Sequence, residues 1–112
     1  MPVMLEWSAK GRMPLDLLVR MTSENPARIF GVAAKGFLAQ GFDADLAVVD
    51  LTKTFTVERD WLQGKCGWSP FEGRELTGYP VHTLVRGEFA MRDGALVGSP
   101  KGRPVTFDWK SD

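Results

Sequence analysis

Residues 36–51 read GFLAQGFDADLAVVDL, and they mark the one change of pattern in the chain. Before Gly36 the apolar residues recur at helical spacing. After it, short apolar runs alternate with turn residues. Leu46 to Val49 is a continuous apolar run rich in β-branched residues and bounded by aspartates. That pattern predicts a strand buried on both faces, or nearly so. Asp43 and Asp45 are two apart, so on a strand they share one face and Ala44 takes the other. Such a pair commonly opens a strand, with a carboxylate accepting backbone N–H groups in a turn. A hard cation needs about six oxygen ligands, more than this pair supplies.

Upstream, Val3, Met4, Leu5 and Trp7 predict a short, mostly buried helix that Gly11 stops. Pro14 opens a second helix, reaching Thr22 on the 3-4 spacing of Leu15, Leu18 and Val19. Asn25 is placed to cap a third, with Pro26 as its first residue and Ala27, Ile29 and Phe30 as its apolar face. Gly31 ends it.

Downstream, Phe55 and Val57 alternate with Thr54 and Thr56, which predicts a second, half-buried strand. Residues 58–79 read as one long ordered loop. It holds four glycines and one proline, and Trp61, Trp68 and Phe71 would be wasted in a flexible linker. Val81 to Val85 and Glu88 to Met91 flank Arg86-Gly87, and Asp93-Gly94 then precedes Ala95 to Val97. Asp-Gly between short apolar runs is a strong hairpin signal. Residues 98–104 form a polar exit, and Val105 and Phe107 suggest one last short strand.

The whole has 112 residues, enough for one small domain and far short of the roughly 250 of a (β/α)₈ barrel. Fourteen basic and fourteen acidic side chains give a formal charge of zero. That speaks against a nucleic-acid binder, which carries a basic excess, and against attraction to an anionic membrane. No apolar run reaches the ~18 residues of a membrane span, and the first residues lack the pattern of a signal peptide. A single cysteine, Cys66, cannot form an internal disulfide, so a reducing, cytoplasmic setting is expected.

The residues offer little chemistry. His82 is the only histidine, and no HxH, HExxH or CxxC occurs, whereas a zinc site needs three or four ligands. His82 reads as a strand residue facing solvent or a neighbour. Cys66 reads as a small apolar loop residue, although the adjacent Lys65 would favour its thiolate. No phosphate-binding glycine motif exists. Lys101, Arg103 and Lys110, offset by Asp108 and Asp112, read as a solvated terminus. No catalytic, cofactor-binding or metal-binding residue is assigned.

Three segments in this order resemble one family: TSENPARIFGV (22–32), GFLAQGFDADLAVVDL (36–51) and KCGWSPFEGRELTGYPVHTLVRGEFAMRDGALVG (65–98). Together they resemble the C-terminal end of the cyclic amidohydrolases, dihydroorotase first, with allantoinase and hydantoinase as relatives. The resemblance runs from about Pro2 to Phe107. It implies a parent with a zinc-bearing (β/α)₈ barrel and a small β-sandwich assembled from both chain ends. It also implies zinc ligands consisting of an HxH pair, a carboxylated lysine, two further histidines and an aspartate. A zinc-held hydroxide would attack a ring amide. No position here matches any of those ligands, so zinc belongs to the parent and no cofactor is expected in this chain.

The expected fold is therefore α+β. Residues 1–35 would be a helical remnant of the end of the barrel, and residues 36–112 the C-terminal β-strand share of the sandwich. On this reading the chain is a fragment of a dihydroorotase-like enzyme, inactive alone. The alternatives are a stand-alone binding or scaffolding domain that docks on another chain, and a small enzyme using Cys66, His82 or the Asp43/Asp45 pair. Without a barrel, Trp7, Leu18 and Phe30 would lose much of their burial. Such a chain would self-associate, as a dimer exchanging strands or helices, or would capture the missing barrel segment.

Overall fold

A computed structural model describes residues 1–99 and 102–108. Three short helices come first: α1 (Pro2–Ala9), α2 (Leu15–Val19) and α3 (Asn25–Ile29). Four strands follow: β1 (Leu46–Thr56), β2 (Glu75–Val85), β3 (Glu88–Arg92) and β4 (Ala95–Leu96). They form one antiparallel sheet in the order β1-β2-β3-β4. The α+β class expected from the sequence holds. Among the described residues no helix is long and apolar enough to cross a membrane.

The second and third helices are not separate. A π-helical turn, Arg20–Glu24, joins α2 to α3. Asn25 was expected to be an N-cap, but its backbone is helical (φ −63°, ψ −45°) and its N–H reaches back to the Arg20 carbonyl. The cause is Pro26. In a regular helix its ring would strike the carbonyl four residues earlier, and the wider turn relieves that clash.

In α1 the buried pair is Leu5 and Glu6, while Trp7 is 47% exposed. This corrects the expectation of a mostly buried apolar helix. Leu5 packs with Met13 and Leu18, and Met4 and Val49 close over them. Leu18 is only 3% exposed, contrary to the expected loss of burial, because it packs on this small core. Phe30, with no such neighbour, is 57% exposed.

The two expected strands around Leu46 and Phe55 are one. β1 pairs with β2 from Leu46↔Leu84 to Val48↔His82, shifts by one residue at Val49↔Pro80, and after Asp50↔Tyr79 skips to Thr54↔Thr77. Asp50 fills the skip, its Oδ1 accepting the N–H groups of Thr52 (2.9 Å) and Lys53 (3.0 Å). β1 is not buried on both faces: Val48 and Leu51 are each 45% exposed, because α1 packs mainly over β2 and leaves β1 largely uncovered. β2 starts at Glu75, inside the stretch expected to be loop. Pro80 lies within it, opposite Val49 where the register shifts, a position that tolerates a missing N–H.

The two hairpins are as expected. Arg86-Gly87 and Asp93-Gly94 each have positive φ at both positions (52° and 80° in both turns), the geometry that matches strand twist. Val105 and Phe107 do not extend the sheet. Phe107 bridges Val32, and Thr106 accepts the Ala33 N–H at 2.9 Å. Lys101, Lys110 and Asp112 of the expected basic terminus lie outside the described residues.

Candidate functional site

An open groove of about 700 Å³ lies between the helical segment and the first part of the sheet. Leu15, Val19, Pro26 and Phe30 form one wall and Leu46 and Val49 the other. Its lining is therefore mainly aliphatic and aromatic, with the Thr22 and Ser23 side chains among it but no histidine or cysteine.

A charged cluster sits on its rim. Lys35 Nζ pairs with Asp43 (2.8 Å) and with Asp45. Asp45 Oδ1 accepts the backbone N–H of Arg86 at 2.7 Å, and the Arg86 guanidinium lies 3.6 Å from Asp43. Hydrogen bonds to Asp43 and then to Asp45 raise the Lys35 pKa. The Lys35 contact and then the Arg86 N–H hold the Asp45 carboxyl below its ordinary value. Asp43 and Asp45 thus do what such a pair does at the start of a strand. One carboxylate caps the β2–β3 turn, and both are neutralised by cations.

The remaining candidates are scattered. Cys66 is exposed in the loop before β2, and its thiol lies 3.6 Å from the Trp68 carbonyl. His82 lies on β2, and its polar contacts are with Asp93. Each candidate keeps its own partners. Of the loop aromatics that argued for an ordered segment, Trp68 is 61% exposed. Trp61 anchors it instead, its ring 5.1 Å from Phe55 and its Nε1–H 3.3 Å from the Tyr79 hydroxyl. Among the described residues no three His, Cys, Asp or Glu side chains are grouped to hold a metal. The zinc implied by the resemblance does not fit this donor set, because the two aspartates are already paired and His82 Nδ1 is taken by a backbone N–H.

Sequence reasoning missed Lys35, Arg86 and Glu6. Glu6 carried a signal: it is the single charge in the apolar run VMLEW. Its burial required the sheet contact described below.

The amidohydrolase family pattern matches residues 1–90. The chain belongs to the amidohydrolase family. This amidohydrolase chain is 45% identical over 109 residues to a dihydroorotase of Methanothermobacter thermautotrophicus, covering 96% of this chain and 25% of that protein. A dihydroorotase of Pyrococcus furiosus is 36% identical over 104 residues, covering 93% of this chain and 25% of its own length. Among solved structures, an L-hydantoinase from Arthrobacter aurescens superposes with a TM-score of 0.82 at 38% identity, covering 88% of this chain and 22% of that one. The chain thus spans about a quarter of the length of the curated relatives it matches.

Proposed function

We propose that this amidohydrolase chain forms the C-terminal part of a dihydroorotase-like, zinc-dependent enzyme that opens or closes a cyclic amide ring. The observation that carries the reading is the 45% identity to a dihydroorotase across 96% of the chain. In this reading the chemistry, including the zinc, sits in the remaining three quarters, and this chain is inactive alone. Its role is to complete the fold, with residues 1–35 packing on the barrel and the sheet joining the sandwich. The apolar groove and the free edge of β1 are the surfaces that need covering. Left without that cover, the chain self-associates. A cytoplasmic location fits the lone, exposed cysteine.

The test is complementation. A Methanothermobacter dihydroorotase shortened by the 109 residues that this chain matches is mixed with this chain, and dihydroorotate turnover is measured. The expected result is no turnover by either part and recovered turnover by the pair. Turnover by this chain alone would overturn the proposal. Tight binding to the shortened enzyme without turnover would favour the second reading, a non-catalytic docking domain, for which the exposed groove also speaks.

A further inference from the structure

His82 sits on β2 opposite Val48, and its ring reaches the turn that joins β3 to β4. Nδ1 accepts the backbone N–H of Asp93 at 3.1 Å. A ring nitrogen that accepts an N–H must hold a free lone pair, so this bond exists only with a neutral imidazole protonated on Nε2. Nε2 lies 3.9 Å from Asp93 Oδ1. One residue therefore presents the ring with both a donor and a carboxylate. Protonation of Nδ1 sets two N–H groups against each other and breaks the backbone bond. The same proton creates a charge pair with the carboxylate. The two protonation states favour different placements of Asp93.

The turn is built to respond. Asp93 has a φ of 52°, the left-handed backbone that a two-residue hairpin turn requires at this position. β4 is two residues long and is joined to β3 by two residue pairs, Met91↔Leu96 and Arg92↔Ala95. Gly94 N–H adds one bond to the Val81 carbonyl at 2.9 Å, and Val97 N–H, just past β4, adds one to the Ala90 carbonyl at 3.0 Å. So few bonds make a low-stability element. The tip borders a recess of about 220 Å³ lined by Trp61, Met91, Gly94 and Leu96, so its placement sets the mouth of that recess.

We propose that His82 is a pH-sensitive pin for the β3–β4 tip, trading the Asp93 backbone bond for the Asp93 carboxylate when it gains a proton. The charged groups facing it are Asp93 on the turn and, through Asp93, Arg92 of β3, whose Nε lies 3.9 Å from Asp93 Oδ2. Besides Arg92, β1 and β3 place apolar side chains against the ring: Val48 stands opposite, and Phe89 meets it edge-on at 5.6 Å.

The experiment is amide hydrogen exchange by NMR on the full chain. The Asp93 amide is followed while the His82 ring protons report its own titration. Protection of Asp93, corrected for intrinsic exchange, should fall about tenfold as the ring gains its proton, the factor that follows from losing one hydrogen bond. In His82→Gln, whose amide oxygen accepts at any pH, the protection should stay flat. Ring nitrogen shifts of the unaltered chain give an independent reading: at high pH the proton should reside on Nε2. Constant Asp93 protection through the ring titration, or a proton found on Nδ1 at high pH, would overturn the proposal.

Discussion

Glu6 and Thr77 stand 71 residues apart in sequence, and the carboxylate of the first accepts the backbone N–H of the second at 2.6 Å. The Glu6 side chain is 4% exposed and also pairs with Lys10 one turn along α1. It is the polar stitch between the first helix and the start of β2. Thr77 flanks the register skip, where β1 and β2 are least regular. Replacing Glu6 with Ala removes the acceptor and leaves a half-buried donor without a partner. We expect the midpoint of thermal unfolding to fall by roughly 4–8 °C, the shift that one lost hydrogen bond produces in a domain of this size. Glu6→Gln keeps an acceptor oxygen and should recover most of the loss. Equal losses in both variants would show that charge, not the bond to Thr77, matters.

Acid should weaken the fold in a defined window. Contact with Lys10, and then the Thr77 N–H, holds the Glu6 carboxyl below its ordinary value of 4.5. Asp45 and Asp50 lie below their ordinary 3.8, the first through Lys35 and the second through the N–H and hydroxyl of Thr52. A carboxylate with a lowered pKa adds stability that is complete above its unfolded value and is lost as pH falls through its folded value. Urea midpoints should therefore hold above about pH 5 and drop steadily below it. A doubly substituted Glu6→Gln, Asp45→Asn chain should show a shallower drop over the same range. An unchanged slope would mean that other carboxyls carry the acid response.

The turns and the order of elements were legible in the sequence because each rests on local chemistry. Asp93-Gly94 needs positive φ at two adjacent positions, and few residue pairs accept that. The misreadings share another cause. Asn25 followed by Pro26 has the local form of a helix start, yet packing of Leu18 and Ala27 keeps the chain helical through both, at the expense of a wider turn. Leu46 to Val49 has the composition of a central strand. Its place at the sheet edge is set by which strands surround it, and no residue in the run encodes that. The charged cluster was half visible: Asp43 and Asp45 announced a capped turn, but Arg86 lies 41 residues beyond Asp45 and Lys35 ten residues before it.

That cluster makes a separable prediction. Asp45→Ala removes both the cap on the Arg86 N–H and one partner of Lys35, whereas Asp45→Asn keeps an oxygen for the cap and removes the charge. The groups are partly solvated, so the ion pair itself contributes less than about 1 kcal/mol. The cap to a backbone donor contributes about 1–2 kcal/mol. Chemical denaturation should therefore rank the chains in the order unaltered, Asp45→Asn, Asp45→Ala, with the larger step between the two variants. A larger step at Asn would assign the stability to the charge pair.

Gly78 and Gly87 both have positive φ, 103° and 80°, but their surroundings differ. A Cβ on Gly78 would lie 2.5 Å from Leu5 Cβ, whereas at Gly87 the nearest atom would be Ala44 Cβ at 3.9 Å. The first glycine lets α1 press against β2, and the second serves only the turn. For a non-glycine residue the backbone at Gly78 costs about 1–3 kcal/mol. Forcing Leu5 aside adds about 1–3 kcal/mol. Gly78→Ala should therefore lose about 2–6 kcal/mol, a large share of the ~5–15 kcal/mol that holds a small domain together. Gly87→Asn, in a turn where asparagine accepts positive φ, should lose less than about 1 kcal/mol. The double substitution Gly78→Ala, Leu5→Gly, which removes the Leu5 Cβ itself, separates the two parts of the larger loss. If the close approach dominates, shrinking Leu5 should leave the second substitution at Gly78 costing only its backbone share. If Gly78→Ala costs the same with either residue at position 5, the α1–β2 contact is looser than 2.5 Å implies, and the loss belongs to the backbone alone.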